Sequence, residues 1–140
     1  MLAEQNLFPS LCLTLDENVS AELCTWIDEQ KNSYGLKLKN VGFLPHDQVL
    51  VLYSQAQALI YPSRFESFGL PLIEASQAGL PVLSAELDYV RDALDPEQSF
   101  DPDSPISIAR AVKRYLGVEE PSLQLSDAKT FLHLLLEVPH

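Results

Sequence analysis

The spacing of apolar residues changes several times along the chain, and each change predicts a new element of secondary structure. The apolar run Leu11–Leu15 suits a buried strand, and Asn18 can cap the helix that follows it. The later pattern predicts, in order, a strand in 36–44, a helix from Pro45, a strand in 58–61, a helix from Pro71, a strand in 81–84, and helices in 89–94, 106–116 and 127–136. Strands that alternate with helices indicate an α/β fold, a Rossmann-like parallel sheet with helices on both faces.

Two of the predicted helices show an apolar stripe at helical spacing. The first stripe consists of Val19, Leu23, Trp26 and Ile27, and the second consists of Val49, Leu52, Tyr53 and Ala56. Such a stripe is typical of a helix that packs on a sheet.

The loop before the helix at Pro71 is the predicted place for a ligand. Pro71 suits a first helical turn, and Gly79 suits the position just past the helix end. In parallel sheets, ligands bind beyond the carboxyl ends of the strands. The loop Pro62–Gly69 directly follows the strand predicted in 58–61, so it begins at the carboxyl end of that strand.

The start of this helix combines free N–H groups with two carboxylates. Phe68, Gly69 and Leu70 are expected to present outward N–H groups that hold phosphate, and Gly69 has no Cβ to keep a ligand away. Glu66 and Glu74 flank the helix start, and carboxylates accept hydrogen bonds from sugar hydroxyls. Each signal alone is weak, because a single helical glutamate is usually a solvated surface residue.

Composition limits the class of protein. The 140 residues, 46 % of them apolar, fit one domain. A net charge of -11 argues against nucleic acid and against an anionic membrane as the main partner. Without an apolar run of about 18 residues or a signal peptide, the expected location is cytoplasmic, with Cys12 and Cys24 as buried free thiols.

The motif as a whole is more specific than its parts. It reads ESFGLP from Glu66, EA at Glu74 and AGLPV from Ala78, with VGFLPHDQVLVLYSQAQALIYPS upstream and YVRDAL and FDPDSPISIARAV downstream. This pattern resembles the E-x7-E segment of retaining glycosyltransferases of the GT-B type, particularly glycosyltransferase family 4. The likeness covers roughly Leu11–Leu116.

The resemblance implies a role for each residue of the motif. Glu66 would be the catalytic residue that contacts the donor sugar near the reacting carbon. The N–H groups of Phe68, Gly69 and Leu70 would hold the donor sugar or its diphosphate, and Glu74 would hold the ribose hydroxyls.

Three further residues are implied as donor-binding. Gly42 and Phe43 would border the nucleobase. Arg64 would help to neutralise phosphate, although a structural pairing with a nearby carboxylate is an equal alternative. Enzymes of this type need no metal, and the three histidines have no ligand spacing.

The implied activity is transfer of a sugar from a nucleoside diphosphate sugar with retention at the anomeric carbon. The chain would be the C-terminal donor-binding domain over residues 1–140, with the N-terminal acceptor-binding domain absent. The first strand of the domain, which carries Gly-Arg and Lys-Gly pairs in this family, also has no counterpart, since no basic residue precedes Lys31. We therefore expect the isolated chain to be inactive. The expected partners are a nucleotide-sugar donor and the missing domain. The apolar last helix could be covered by that domain or by a second copy, and a peripheral membrane location stays open for the whole enzyme.

Two other readings stay open. One is a non-catalytic nucleotide- or partner-binding α/β module derived from a transferase. The other is an unrelated flavodoxin-like or receiver-like module. A dinucleotide dehydrogenase is the least favoured class, because the chain contains no G-x-G-x-x-G.

Overall fold

A computed structural model describes residues 1–65 and 68–119 of the chain. The elements are a 3-10 helix at Ala3–Gln5, β1 (Leu11–Leu13), α1 (Glu17–Tyr34), β2 (Leu38–Asn40), α2 (His46–Gln55), β3 (Leu59–Tyr61), α3 (Leu70–Gln77), β4 (Val82–Ala85), α4 (Asp88–Ala93), β5 (Gln98–Phe100) and α5 (Pro105–Tyr115). The helix predicted in 127–136 lies outside the described residues, so the dimer through that helix stays a prediction.

Every strand pairing in the described residues is parallel, as the alternation of strands and helices predicted. β1 pairs with β2, and β3, β4 and β5 form a second sheet in that order. The Rossmann order 3-2-1-4-5-6 places its first strand between the second and fourth. If β1 to β5 correspond to the second to sixth strands of that order, the position of its first strand lies between β1 and β3. This is where the two sheets are separated.

Two apolar clusters cover the two faces of the larger sheet. Val82 packs with residues of α2, α3 and α4, whereas its neighbour Leu83 packs with Phe100 and with α5. Successive residues of a strand point to opposite faces, so the two clusters lie on opposite sides of β4. Helices on both faces of a parallel sheet are therefore confirmed.

The first strand and the first helix form as predicted, but neither contains a buried residue. Asp16, not Asn18, caps α1, and its carboxylate accepts a hydrogen bond of 2.9 Å from the N–H of Asn18. No residue of α1 is buried, and Val19 is 81 % and Trp26 56 % exposed. An apolar stripe shows which helix face could be covered, whereas burial depends on what packs there.

The two cysteines are free, but the prediction that both are buried is wrong. Cys12 is exposed on β1, and Cys24 is half-buried on α1. Desolvation, and then the charges of Glu17, Asp28 and Asp16, raise the pKa of the Cys24 thiol. A raised pKa leaves less thiolate, so this side chain is less reactive than an ordinary cysteine.

Two elements were not predicted from the sequence, namely the 3-10 helix and β5. β5 holds a single fully buried side chain, Phe100, within a polar stretch. The strand within 36–44 is also shorter than predicted, since β2 covers Leu38–Asn40 only. Within residues 1–65 and 68–119, no helix is long and apolar enough to cross a lipid bilayer.

Candidate functional site

The helix α3 is fixed to the sheet with its start at the carboxyl edge. Gly69 is its N-cap residue, Pro71 lies in its first turn, and Gly79 follows its end with a φ of 70°. Leu72 and Ala75 are completely buried against the sheet and the neighbouring helices. The predicted helix boundaries are therefore confirmed, and packing holds the helix start in place.

Gly69 is required by the backbone conformation. Its φ is 57° and its ψ is 32°, which is the left-handed region that glycine adopts without a steric penalty. A Cβ at this position would meet Leu72 Cδ1 at 3.5 Å and Ala93 Cβ at 3.9 Å. Such a Cβ would thus point towards the protein, so the missing side chain does not itself open space for a ligand as the sequence reasoning assumed.

The residues at the start of α3 differ in exposure: Phe68 and Leu70 are exposed, whereas Gly69 is buried, so its burial does not support the prediction that its N–H faces outward. Among the described residues, the N–H groups of Phe68, Gly69 and Leu70 donate no hydrogen bond. The carbonyl of Gly69 already accepts from the N–H groups of Leu72 and Ile73, at 3.0 and 3.2 Å. Three donors at the positive end of a helix dipole favour an anion.

Glu74 lies on α3 beside the start of α2. Its side chain is 25 % exposed, and its Oε1 lies 3.7 Å from Nδ1 of His46 at the start of α2. On the inner side is Tyr53, which belongs to the core. Burial, and then the charge of Glu74, raise the pKa of Tyr53. The carboxylate therefore has a core hydroxyl on one side and an exposed imidazole on the other.

The loop before α3 is held by α4. The Tyr89 hydroxyl donates a hydrogen bond of 2.6 Å to the carbonyl of Ser63, and the Ser63 hydroxyl donates to the carbonyl of Phe65 at 3.1 Å. Arg64 forms an ion pair with Asp103, and both side chains are exposed. The structural pairing that the sequence left open for Arg64 is therefore present.

Glu66 and Ser67 lie outside the described residues. The position of the predicted catalytic carboxylate, and its distance from Glu74, stay predictions.

Gly42 and Phe43 lie in the loop between β2 and α2. Gly42 has a φ of 75°, and its N–H donates to Asn40 Oδ1 at 3.3 Å. Asn40 also bonds the backbone of Leu15 in both directions, at 2.9 and 3.0 Å. This side chain fixes the loops that leave β1 and β2. Phe43 is 73 % exposed and is followed two residues later by the N-cap of α2.

Sequence reasoning missed three residues that shape the site: His46, Tyr89 and Asp103. The contacts of Tyr89 and Asp103 span 26 and 39 positions, which no local pattern reveals. His46 had a usable signal, because it shares the helical spacing of Val49 and Tyr53 (positions i, i+3 and i+7). Among the described residues, no three His, Cys, Asp or Glu side chains are grouped so that they could hold a metal ion. Metal independence stays a prediction.

Comparison with known proteins identifies related chains. The family model described as glycosyl transferases group 1 matches residues 18–130. The serotype-specific mannosyltransferase WbdA of Escherichia coli is 41 % identical over 76 residues, which are 53 % of this chain and 9 % of that protein. The O-antigen chain mannosyltransferase RfbU of Salmonella typhimurium is 35 % identical over 83 residues, which are 56 % of this chain and 24 % of that protein.

A solved structure agrees with both the fold and the family. The sucrose-phosphate synthase of Thermosynechococcus elongatus matches 76 % of this chain and 28 % of its own length, with a TM-score of 0.63 and 30 % sequence identity. The chain spans no more than 26 % of the length of any curated relative that it matches. A family match over most of the chain, together with this fold, shows that the chain belongs to the glycosyl transferases of group 1, with the GT-B type of fold.

Proposed function

We propose that the chain is the donor-binding domain of a retaining hexosyltransferase, which transfers a sugar from a nucleoside diphosphate sugar to an acceptor. One observation carries the proposal: three N–H groups at the start of α3 donate no hydrogen bond among the described residues, and the partly exposed carboxylate of Glu74 follows on the same helix. Family membership and the mannosyltransferase names of two relatives support a hexose donor.

The diphosphate is assigned to the start of α3. The N–H groups of Phe68, Gly69 and Leu70 and the helix dipole favour negative charge without any basic side chain. This matters in a chain whose net charge is -11. Arg64 adds a cation after it leaves Asp103, and an exposed ion pair of this kind contributes only about 0.2–1 kcal/mol. A diphosphate can therefore compete for it.

The nucleoside is assigned to the surface around Glu74, where α3 lies beside the start of α2. Glu74 lies about one helical turn beyond Leu70, roughly 6 Å along the axis. Its carboxylate can accept hydrogen bonds from both ribose hydroxyls. The exposed ring of Phe43 and the backbone of Gly42 would border the base.

Glu66 is proposed to contact the sugar near the reacting carbon. As the bond to the sugar breaks, negative charge develops on the leaving diphosphate, and the N–H groups at the helix start stabilise it. Because Glu74 is engaged at the ribose, we assign no second carboxylate to a covalent double displacement. Following the family resemblance, we also assign no metal to the reaction.

Turnover is proposed to need an acceptor-binding domain that is not part of these 140 residues. The isolated chain then binds a donor weakly and transfers no sugar. A non-catalytic nucleotide- or partner-binding module is the second candidate, favoured by the engagement of Arg64 with Asp103. Transfer of sugar by any longer form of the protein would exclude that second candidate.

The test of the proposal is replacement of Glu74 by Ala. One hydrogen bond to a charged group contributes about 1.5–3 kcal/mol, so affinity for a nucleotide sugar should fall by about tenfold or more. Glu97→Ala is the matched control, since it removes the same charge from the segment just before β5. Calorimetry or ligand-observed NMR with UDP-, GDP- and ADP-linked hexoses measures the affinities. Equal affinities of the two variants would contradict the role of Glu74.

A further inference from the structure

We propose that His46 is a positioning residue for Glu74, and that protonation of His46 strengthens binding of the nucleotide sugar. The proposal rests on the proposed function, because it assigns His46 to the ribose end of that same site.

Helix packing sets the position of His46. His46 is the first residue of α2, directly after the N-cap Pro45, whose φ of -56° and ψ of 154° bring the chain into the helix from an extended segment. Val49 and Tyr53 follow at i+3 and i+7, and both pack on the core cluster that contains Leu72 of α3. Residues at these spacings share one side of a helix, so the packing that holds Tyr53 also turns His46 towards α3.

The imidazole approaches the carboxylate from the solvent side. His46 is 67 % exposed, whereas Glu74 is 25 % exposed, and the distance from Nδ1 to Oε1 is 3.7 Å. Among the described residues, His46 is the basic side chain within ion-pair distance of Glu74. A carboxylate offers about four acceptor positions, so one oxygen can face His46 while ribose hydroxyls take the rest.

Among the described residues, the core cluster on this side of the sheet contains three titratable side chains, Tyr53, Tyr61 and Tyr89, and Asp47 follows His46 in the chain. Tyrosine side chains ionise near pH 10, whereas histidine is the side chain type that changes charge between about pH 5 and 8.

Protonation should act through the carboxylate. An imidazolium 3.7 Å from Oε1 holds the carboxylate in one orientation for the ribose hydroxyls. Exposed ion pairs contribute little, so the expected gain in affinity is about two- to fivefold.

The first experiment measures the affinity of the 140-residue chain for the tightest-binding of the UDP-, GDP- and ADP-linked hexoses at pH 6 and pH 8. A nucleotide sugar is preferred to a free diphosphate, because a terminal phosphate titrates near pH 6. The wild type should bind about two- to fivefold more tightly at pH 6. His46→Gln should show no pH dependence, and His46→Lys should keep the tighter binding at both values. Asp47→Asn is the matched control and should keep the wild-type response.

A double-variant comparison separates positioning from direct contact. If His46 acts through Glu74, His46→Gln should have no further effect in a Glu74→Gln background. A loss of equal size in both backgrounds would overturn the positioning role, because His46 would then contact the ligand itself.

A measurement without ligand keeps the proposal testable if a variant binds too weakly. The NMR signals of the His46 imidazole should move in Glu74→Gln and stay in place in Glu97→Ala. Unchanged signals in Glu74→Gln would overturn the pairing.

The two proposals fail differently. If no nucleotide sugar binds, or if Glu74→Ala binds as well as the wild type, the proposed function fails and this inference fails with it. If Glu74→Ala weakens binding but the wild type and His46→Gln respond equally to pH, only the inference about His46 fails.

Discussion

The two halves of the described chain differ in how they are held. Residues 1–52 contain no buried side chain, although they include the longest helix, α1. All buried side chains lie between Tyr53 and Val112, in two clusters on the two faces of the β3–β4–β5 sheet. Secondary structure therefore extends over both halves, whereas close packing belongs to one.

The candidate site depends on the packed half. α3 is pinned by Leu72 and Ala75, and Tyr89 of α4 fixes the loop that leads to it. The less packed half contributes Gly42, Phe43 and His46 at the rim. We infer that the proposed phosphate-binding end of the site is rigid before a ligand arrives, while the proposed nucleoside end is ordered by fewer contacts.

The largest expected effect is on global stability. Leu83→Ala removes a side chain that is 1 % exposed, and such a change costs about 2–5 kcal/mol of the free energy of unfolding. Leu23→Ala is the matched substitution in α1, where the side chain is 45 % exposed, and should cost less than about 1 kcal/mol. Urea unfolding followed by circular dichroism measures both. Equal losses would show that the contrast between the halves is wrong.

A smaller effect is expected at two glycines with left-handed backbones. Gly69 precedes α3, and Gly35 caps the end of α1 with a φ of 61°. Alanine at either position meets a backbone penalty of about 1–2 kcal/mol. A Cβ on Gly69 makes only an ordinary contact with Leu72, and a Cβ on Gly35 meets nothing, so the steric cost is similar.

The two glycine variants should differ in whether the penalty lowers the stability of the whole domain or only that of the local helix. Gly69→Ala should lower the global free energy of unfolding by about 1–2 kcal/mol, because α3 unfolds with the core. Gly35→Ala should mainly speed hydrogen exchange within α1. A global loss in Gly35→Ala as large as that in Gly69→Ala would mean that α1 unfolds with the core after all.

Features that depend on neighbouring residues could be predicted from the sequence. Pro71 and Gly79 marked the ends of α3, and the short apolar runs marked β3 and β4, because turn conformation and strand burial leave traces in neighbouring residues. β5 escaped notice because only Phe100 is buried in it.

Contacts between distant segments were beyond the sequence. The pairs Arg64–Asp103 and His46–Glu74 join residues 39 and 28 positions apart, and their formation depends on which elements become neighbours. The exposure of α1 has the same cause, since an apolar stripe does not show what covers it. The roles of the motif residues came from resemblance, and for Glu66 and the donor contacts they stay predictions.

The most direct test of the central claim is to follow the backbone amide signals of the ¹⁵N-labelled chain while a nucleotide sugar is added. The account predicts that the largest shifts occur at Phe68, Gly69 and Leu70, with Glu74 next, and that Glu97, just before β5, stays unchanged. Binding that leaves the three amides at the start of α3 unmoved would contradict it.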